Sequence, residues 1–208
     1  MEENEQAYVN NQTVMYKLIA TNILFLLTVL ISTGCSSILA PISSNDPLTA
    51  GEHNNLGVIY EQEGKYDLAL REYKMAASKD PELVTPLVNI GNVYLKQSEY
   101  EDAEKYYKKA LKKDSMNMEA ANNLASLYIE TGGDYREGLK YLVAATNHIE
   151  PIPPYALDTL GVLYLKLGDI DKAALSLRDA CNTSEGDPEL KKEINRHMSK
   201  ISEGEICE

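Results

Sequence analysis

The chain has 208 residues, 44% of them hydrophobic, which is enough for one folded domain with a hydrophobic core. Its formal net charge of −12 would repel a phosphate backbone, so nucleic acid is not expected as a partner. The three cysteines and three histidines show neither C-x-x-C nor H-x3-H spacing. We therefore predict no metal site and no cofactor.

A short apolar run lies near the N-terminus. It extends from Ile23 to Ile31 with Thr28 as its one interruption, and from Leu18 to Gly34 when it is counted generously. A transmembrane helix needs about 20 apolar residues, whereas the hydrophobic part of a secretory signal needs about 7–15. The length of the run therefore favours a signal that is removed.

The residues ahead of this run are unusual for a signal. The stretch MEENEQAYVNNQTV, residues 1–14, has three glutamates and no lysine, where a secretory signal carries positive charge. A start at Met15 instead places Lys17 before the apolar run and gives a signal of about 20 residues. We expect Met15 to be the true start and residues 1–14 to be an upstream extension.

The four residues STGC, 32–35, follow the apolar run directly and resemble the lipobox of bacterial lipoproteins, although Ser32 stands where leucine is usual. The resemblance implies that residues 1–34 are cleaved off and that Cys35 is lipidated, with palmitate or a similar acyl chain. Ser36 rather than aspartate follows the cysteine, which in Gram-negative lipoproteins implies the periplasmic face of the outer membrane. A plain small-residue cleavage site and an uncleaved signal anchor remain open alternatives.

Residues 35–49 combine the cysteine with the stretch SSILAPISSNDPLT, which is rich in serine and proline and has no periodicity. Such a composition is typical of a flexible tether. Fourteen extended residues can reach up to about 45 Å, so the segment would hold a domain well clear of the lipid.

From residue 50 a motif recurs every 34 residues. The stretch NNLGVIYEQEGKYDLALREYKMA (54–76) aligns with VNIGNVYLKQSEYEDAEKYYKKA (88–110), and further copies begin near Leu124 and Leu160. The pattern L-G-x2-Y, A-x3-[FY], A at this period is identified as the tetratricopeptide repeat (TPR). The resemblance implies an all-α, right-handed superhelix of four helix pairs, at about 50–83, 84–117, 118–153 and 154–186. The terminal segment 187–208 would supply a capping helix and a tail.

Small residues and tyrosines recur at fixed places in these copies. Small side chains allow two helices to approach closely, and tyrosine rings fill the space between them, which explains 14 tyrosines against one phenylalanine. Gly138 stands where alanine is usual. Because a helical glycine costs about 1 kcal/mol relative to alanine, we expect the third repeat to be the least stable.

The sequence carries no catalytic motif of the types G-x-S-x-G, H-E-x-x-H or G-K-[ST], so we predict neither an enzyme nor a small-molecule substrate. Cys181 is expected to be a small buried side chain. A disulfide from Cys181 to Cys207 is not expected. A capping helix of about 15 residues would carry the chain about 22 Å away, and four tail residues span only about 13 Å.

In TPR proteins, defined positions of each first helix face a concave groove. The resemblance implies a row of groove asparagines, spaced by one repeat, like the asparagine ladder of other TPR superhelices. An amide side chain can pair with the backbone of an extended peptide, although these asparagines could also satisfy only local polar groups. The candidate peptide-binding residues are Asn54, Asn55, Asn89, Asn92, Lys96, Asn122 and Asn123.

No lysine or arginine stands at the fifth or ninth position of any repeat. The fifth positions are Asn54, Val88, Asn122 and Asp158, and the ninth positions are Val58, Asn92, Ser126 and Val162. The carboxylate clamp of chaperone-binding TPR proteins needs basic residues there, so binding of an acidic chaperone tail is not expected. Our interpretation is a membrane-anchored adaptor or scaffold that binds a protein segment, as in assembly of a pilus, secretion or cell-wall machine. A self-associating structural lipoprotein and an accessory module for an enzyme on another chain remain open alternatives.

Overall fold

The computed structural model describes residues 46–201 and residue 207. Within this part of the chain there are nine helices and no strand, and all of the helices belong to the compact unit Leu48–Glu208. The predicted all-α fold is therefore confirmed. The helices are α1 Ala50–Gln62, α2 Tyr66–Lys79, α3 Thr85–Lys96, α4 Tyr100–Lys113, α5 Met118–Thr131, α6 Tyr135–Thr146, α7 Pro154–Leu167, α8 Ile170–Thr183 and α9 Pro188–Met198.

None of these helices is both long enough and apolar enough to span a bilayer. The predicted signal, the start at Met15, the lipidated Cys35 and most of the tether lie outside the described residues. Those expectations stay predictions.

Helix ends follow local sequence signals. Thr49 accepts a hydrogen bond from the Glu52 backbone N–H, and the Glu52 carboxylate accepts one from the Thr49 backbone N–H, which together form a capping box at the start of α1. Gly132 and Gly168 end α5 and α7 with φ of 74° and 80°, in the left-handed region that favours glycine. The turns between paired helices are therefore set by the sequence itself.

The helices α1 to α8 form four antiparallel pairs, and each pair packs on the next. Successive first helices also contact one another, α1 with α3, α3 with α5 and α5 with α7, whereas successive second helices approach one another less. Because the first helices lie closer together, the stack curves with its first helices on the concave side. This arrangement makes one continuous surface from four separate repeats.

Tyrosine rings pack directly against glycines inside the pairs, as the sequence predicts. The side chains of Tyr73 and Tyr107 are fully buried. A β-carbon on Gly57 would lie 2.5 Å from the Tyr73 ring, and one on Gly91 would lie 2.5 Å from the Tyr107 ring. Two helices can approach this closely only where one of them has no side chain.

The third repeat also packs a tyrosine ring against a glycine, but here the tyrosine is on the first helix and the glycine is on the second. Its Tyr128 ring lies against Gly138, where a β-carbon would come within 3.1 Å of the ring and 3.3 Å of the Ala125 backbone. The Tyr128 hydroxyl lies 2.9 Å from a Glu104 oxygen and 2.8 Å from a Glu137 oxygen, so its single proton can be donated to either carboxylate. Gly138 therefore fits a close approach of α6 to α5, and its low helix propensity accompanies a packing requirement.

Lys108 reinforces this junction. Its ammonium group lies 2.8 Å from Glu104 and 2.7 Å from Glu137, so it joins α4 to α6. The hydrogen bond from Lys108 lowers the pKa of Glu137 below its ordinary value. The contribution of this carboxylate to stability is therefore present at neutral pH and is lost as the pH falls through its lowered pKa.

The expectation against a Cys181–Cys207 disulfide is wrong. A disulfide joins the two residues, whose Cα atoms are 5.5 Å apart, and the Cys207 backbone N–H donates to the Asn195 side chain. The helix α9 ends at Met198 and is about 16 Å long, which leaves enough chain to return about 30 Å. Cys181 is half-buried rather than buried.

We predict that Gly91→Ala lowers the free energy of unfolding by about 1–2 kcal/mol. The new methyl group would overpack the buried Tyr107 ring, and this cost exceeds the gain in helix propensity of about 1 kcal/mol. Urea denaturation followed by circular dichroism measures the change. Gly51→Ala is the matched control because nothing lies within 4 Å of its β-carbon position, and equal effects of the two changes would contradict the packing argument.

Candidate protein-binding groove

Two pairs of asparagines link neighbouring first helices on the concave side. The Asn89 amide donates to the Asn54 oxygen at 2.9 Å, from α3 to α1. The Asn123 amide donates to the Asn92 oxygen at 2.8 Å, from α5 to α3. All four side chains are half-buried, so the hydrogen bonds lie at the surface of the groove and not in the core. We call this set the amide ladder.

Asn92 is the central residue of the ladder. Besides Asn123, its oxygen accepts a hydrogen bond from the Tyr107 hydroxyl at 2.8 Å, and its amide donates to Glu119 at 3.3 Å. Burial raises the pKa of Tyr107 above its ordinary value, so the phenol keeps its proton and remains a donor. The buried tyrosine between the helices thus fixes the orientation of an amide on the groove surface.

Lys96 also lies on the concave side, where it forms an ion pair. Its ammonium group is 2.7 Å from Glu61 of α1, and the second Glu61 oxygen accepts a hydrogen bond from the Tyr73 hydroxyl at 2.6 Å. Burial and the Glu61 carboxylate both raise the pKa of Tyr73. The Lys96 charge is therefore already balanced, and half of its side chain remains exposed.

The two remaining candidates differ from each other. Asn55 is exposed on α1 and has no side-chain hydrogen bond to any residue that the structure describes. Asn122 of α5 is half-buried, and its oxygen is a buried acceptor that lacks a hydrogen-bond partner among the described residues. The predicted set thus divides into a ladder, an ion-paired lysine, one solvated amide and one amide with an unused acceptor.

A cavity of about 550 Å³ lies beside Asn122, between α5, α7 and α9. Sequence reasoning missed it. Inside it the Asp158 carboxylate is 2.7 Å from Nδ1 of His197, and both side chains are largely buried. The signal in the sequence was an acidic residue at the fifth position of the last repeat, but the histidine that meets it lies 39 residues further on.

Asp158, Glu193 and His197 each offer one atom that could bind a metal, and these atoms lie within 4.8 Å of one another. Each already has a protein partner, because Asp158 contacts His197 and Glu193 accepts a hydrogen bond from Arg196. The geometry of the cluster is therefore accounted for by these hydrogen bonds alone.

Three models of repeat families match the sequence. A TPR repeat model matches residues 57–98, and two tetratricopeptide repeat models match residues 86–117 and 154–187. The chain is a tetratricopeptide repeat protein. This confirms the family predicted from the 34-residue period, and each matched interval covers all or nearly all of a first helix described above.

Solved structures of TPR proteins resemble the chain over about three quarters of its length. MamA is 23% identical, with 72% of this chain and 81% of MamA covered at a TM-score of 0.59. YrrB is 20% identical, with 76% and 80% covered at 0.60, and the type IV pilus factor PilW is 19% identical, with 73% and 70% covered at 0.64. At this level of identity the likeness shows the TPR superhelix alone. No curated protein matches the sequence significantly.

The TPR fold is a protein-interaction scaffold, because stacked repeats create an extended concave surface. Proteins of this fold are typically interaction modules and not enzymes. The absence of catalytic motifs from the sequence agrees with that general behaviour, and the prediction that this chain is not an enzyme remains a prediction.

We predict that Asn92→Ala lowers the free energy of unfolding by about 1–3 kcal/mol, because the buried Tyr107 hydroxyl loses its acceptor. Asn55→Ala removes the same amide from an exposed position and should change stability by less than about 0.5 kcal/mol. Thermal or urea unfolding of the two variants tests the difference. A stability of Asn92→Ala equal to that of wild type would show that the ladder does not hold the repeats together.

Proposed function

We propose that this protein is a membrane-anchored adaptor whose concave groove binds an extended segment of another protein during assembly of a cell-envelope complex. The observation that carries the proposal is the amide ladder. An asparagine side chain has two N–H donors and an oxygen with two lone pairs, and the contacts between Asn54 and Asn89 use only one of each. The rest of their capacity is available to the backbone of a peptide.

The rest of the groove indicates what kind of segment fits. Leu95, Ile129 and Leu165 occupy equivalent positions of three successive first helices and are each half-buried. The amide ladder and the neutralised pair of Glu61 and Lys96 lie on the same set of first helices. A segment with both apolar and polar side chains matches this surface better than a uniformly charged one.

Several observations support placement in the cell envelope. The STGC stretch that ends at Cys35 resembles a lipobox. The Cys181–Cys207 disulfide fits an oxidising compartment such as the periplasm. PilW is described as a type IV pilus biogenesis factor and YrrB as having an unusual peptide-binding site, and both share this fold. A pilus, secretion or cell-wall assembly is therefore the process that we propose.

Photo-crosslinking in living cells tests the groove. Benzoylphenylalanine is placed at the exposed position 55 of the first helix α1, which we predict to face the groove. The same residue at position 175, where Leu175 is 58% exposed on α8, is the matched control on a second helix. We expect position 55 to capture a different protein and position 175 to capture none.

Asn89 and Asn123, whose hydrogen bonds join the repeats, are left unchanged in both variants. A lack of crosslinking from position 55 would therefore not be caused by a loss of these contacts. Capture from position 175 alone would place binding on the outer side and contradict the groove proposal. Capture of only a second copy of this chain from position 55 would replace the adaptor by the self-associating scaffold.

Lipidation is tested separately. We expect cells fed a labelled palmitate analogue to incorporate label into the wild-type chain, and Cys35→Ala to abolish both the label and sedimentation with the envelope. Cys181→Ala is the control. The Cys181 sulfur is in a disulfide with Cys207 and is not a lipidation site, so this substitution should leave the label unchanged. A labelled Cys35→Ala chain, or a mature N-terminus upstream of Cys35, would contradict lipid anchoring.

A further inference from the structure

The cavity between α5, α7 and α9 continues the concave groove at its C-terminal end. Asn122 and Ser126 of α5 and Thr159 of α7 line it, and these residues lie on the first helices that form the groove. Its third side is the capping helix α9, which the repeats themselves do not supply. A volume of about 550 Å³ is in the range of sites that hold a small ligand or a long side chain.

Asn122, which lines the cavity, carries an unused hydrogen-bond acceptor. The Asn122 oxygen is buried and lacks a hydrogen-bond partner among the described residues, and no other buried side-chain atom of that part of the chain does so. A buried acceptor without a donor is unfavourable, and native proteins rarely keep one. A ligand that donates a hydrogen bond here would remove this deficit.

The charged groups of the cavity also favour a donor. Asp158 uses one oxygen for His197 at 2.7 Å, and Glu193 uses one oxygen for Arg196 at 2.8 Å, so each of these carboxylates has a second oxygen available. Glu130, at the rim, accepts a hydrogen bond from Tyr100. Three carboxylates face one guanidinium, and the cavity is therefore net negative and rich in acceptors.

We propose that this cavity binds the guanidinium group of an arginine side chain in the partner segment, a proposal that rests on the adaptor function above. A guanidinium has five N–H donors in a planar fork and no acceptor, which matches two carboxylates and an amide oxygen. Tyr155, 43% exposed at the cavity, offers an aromatic ring to the same cation. The arginine anchors the segment at the capped end of the groove.

An arginine fits the geometry better than a divalent cation. The ligand atoms of Asp158, Glu193 and His197 lie within 4.8 Å of one another, but the cavity of about 550 Å³ is far larger than an ion. An arginine side chain fills such a space with its apolar stem and places its charge at the acceptors. A lysine ammonium is a point donor and can serve fewer of these acceptors at once.

The three histidines of the chain make a direct test possible, because His197 lies in the cavity and His53 and His148 do not. The full chain, labelled with 13C-histidine and held in detergent micelles, is titrated with Ac-Ala-Ala-Arg-Ala-Ala-NH2 at constant pH. The His197 ring signal is assigned by its loss in His197→Gln. The control peptide carries citrulline, whose neutral urea group has nearly the shape of a guanidinium.

We expect a saturable shift of the His197 signal with the arginine peptide and about tenfold weaker binding of the citrulline peptide. Glu193→Gln should raise the half-saturating concentration about threefold, while Glu189→Gln should not change it. The two glutamates lie one turn apart on α9, and both are exposed, but only Glu193 lines the cavity. Neither change is expected to affect folding, since both ion pairs are at the surface.

Three results would overturn the proposal: no shift of His197, equal binding of both peptides, or equal effects of the two glutamine variants. A shift caused by micromolar zinc chloride that the arginine peptide does not displace would assign the cavity to a metal instead. If position 55 still captures a partner but the arginine peptide does not shift the His197 ring signal, the adaptor function stands and this proposal fails. If arginine binds but position 55 captures nothing, the adaptor function fails and the cavity remains an arginine site.

Discussion

The close approach of two helices at a residue without a side chain is the constraint on which this structure depends. At Gly57 and Gly91 the facing tyrosine ring occupies the space that a β-carbon would need, and at Gly161 the side chain of Leu177 does so. The pairs can stack regularly because each of them has nearly the same internal spacing. That regularity brings one first helix beside the next and creates the continuous concave surface.

The buried tyrosines have a second role, which follows from their hydroxyl groups. The Tyr73 hydroxyl reaches Glu61 and the Tyr107 hydroxyl reaches Asn92, so each ring packs between helices and ends at a polar group of the groove. A phenylalanine would satisfy the packing but not the polar group. This explains in physical terms why tyrosine and not phenylalanine stands at these two positions.

Much of the fold could be predicted because it depends on short-range sequence features. The 34-residue period, the recurring glycines and tyrosines and the amphipathic C-terminal segment are all visible in the amino-acid sequence. The groove asparagines could also be named, because a repeat fixes which positions face inward. Their partners could not, since whether Asn92 pairs with Asn123 or with a ligand depends on distances between repeats.

Two further features that sequence reasoning missed involve α9 and the tail. The Cys181–Cys207 disulfide depended on where α9 ends, and a helix end a few residues earlier was enough to reverse the prediction. The contact of Asp158 with His197 depended on how α9 packs against α7, which no periodicity encodes. Helix ends and docking angles are set by tertiary contacts, so the contacts at the capped end of the groove could not be predicted from the sequence.

The two ends of the groove consequently differ in chemistry. At the first repeats the acidic Glu61 is neutralised by Lys96 and held by Tyr73, so little charge is left for a ligand. At the last repeat, within the part of the chain that the structure describes, the side-chain contact of Asp158 is with His197 and the Asn122 oxygen has no hydrogen-bond donor. An extended segment can pair with the amide ladder in either direction, because an amide offers a donor and an acceptor alike. The asymmetry of charge between the two ends removes that ambiguity, since only one direction places a cationic side chain beside α9.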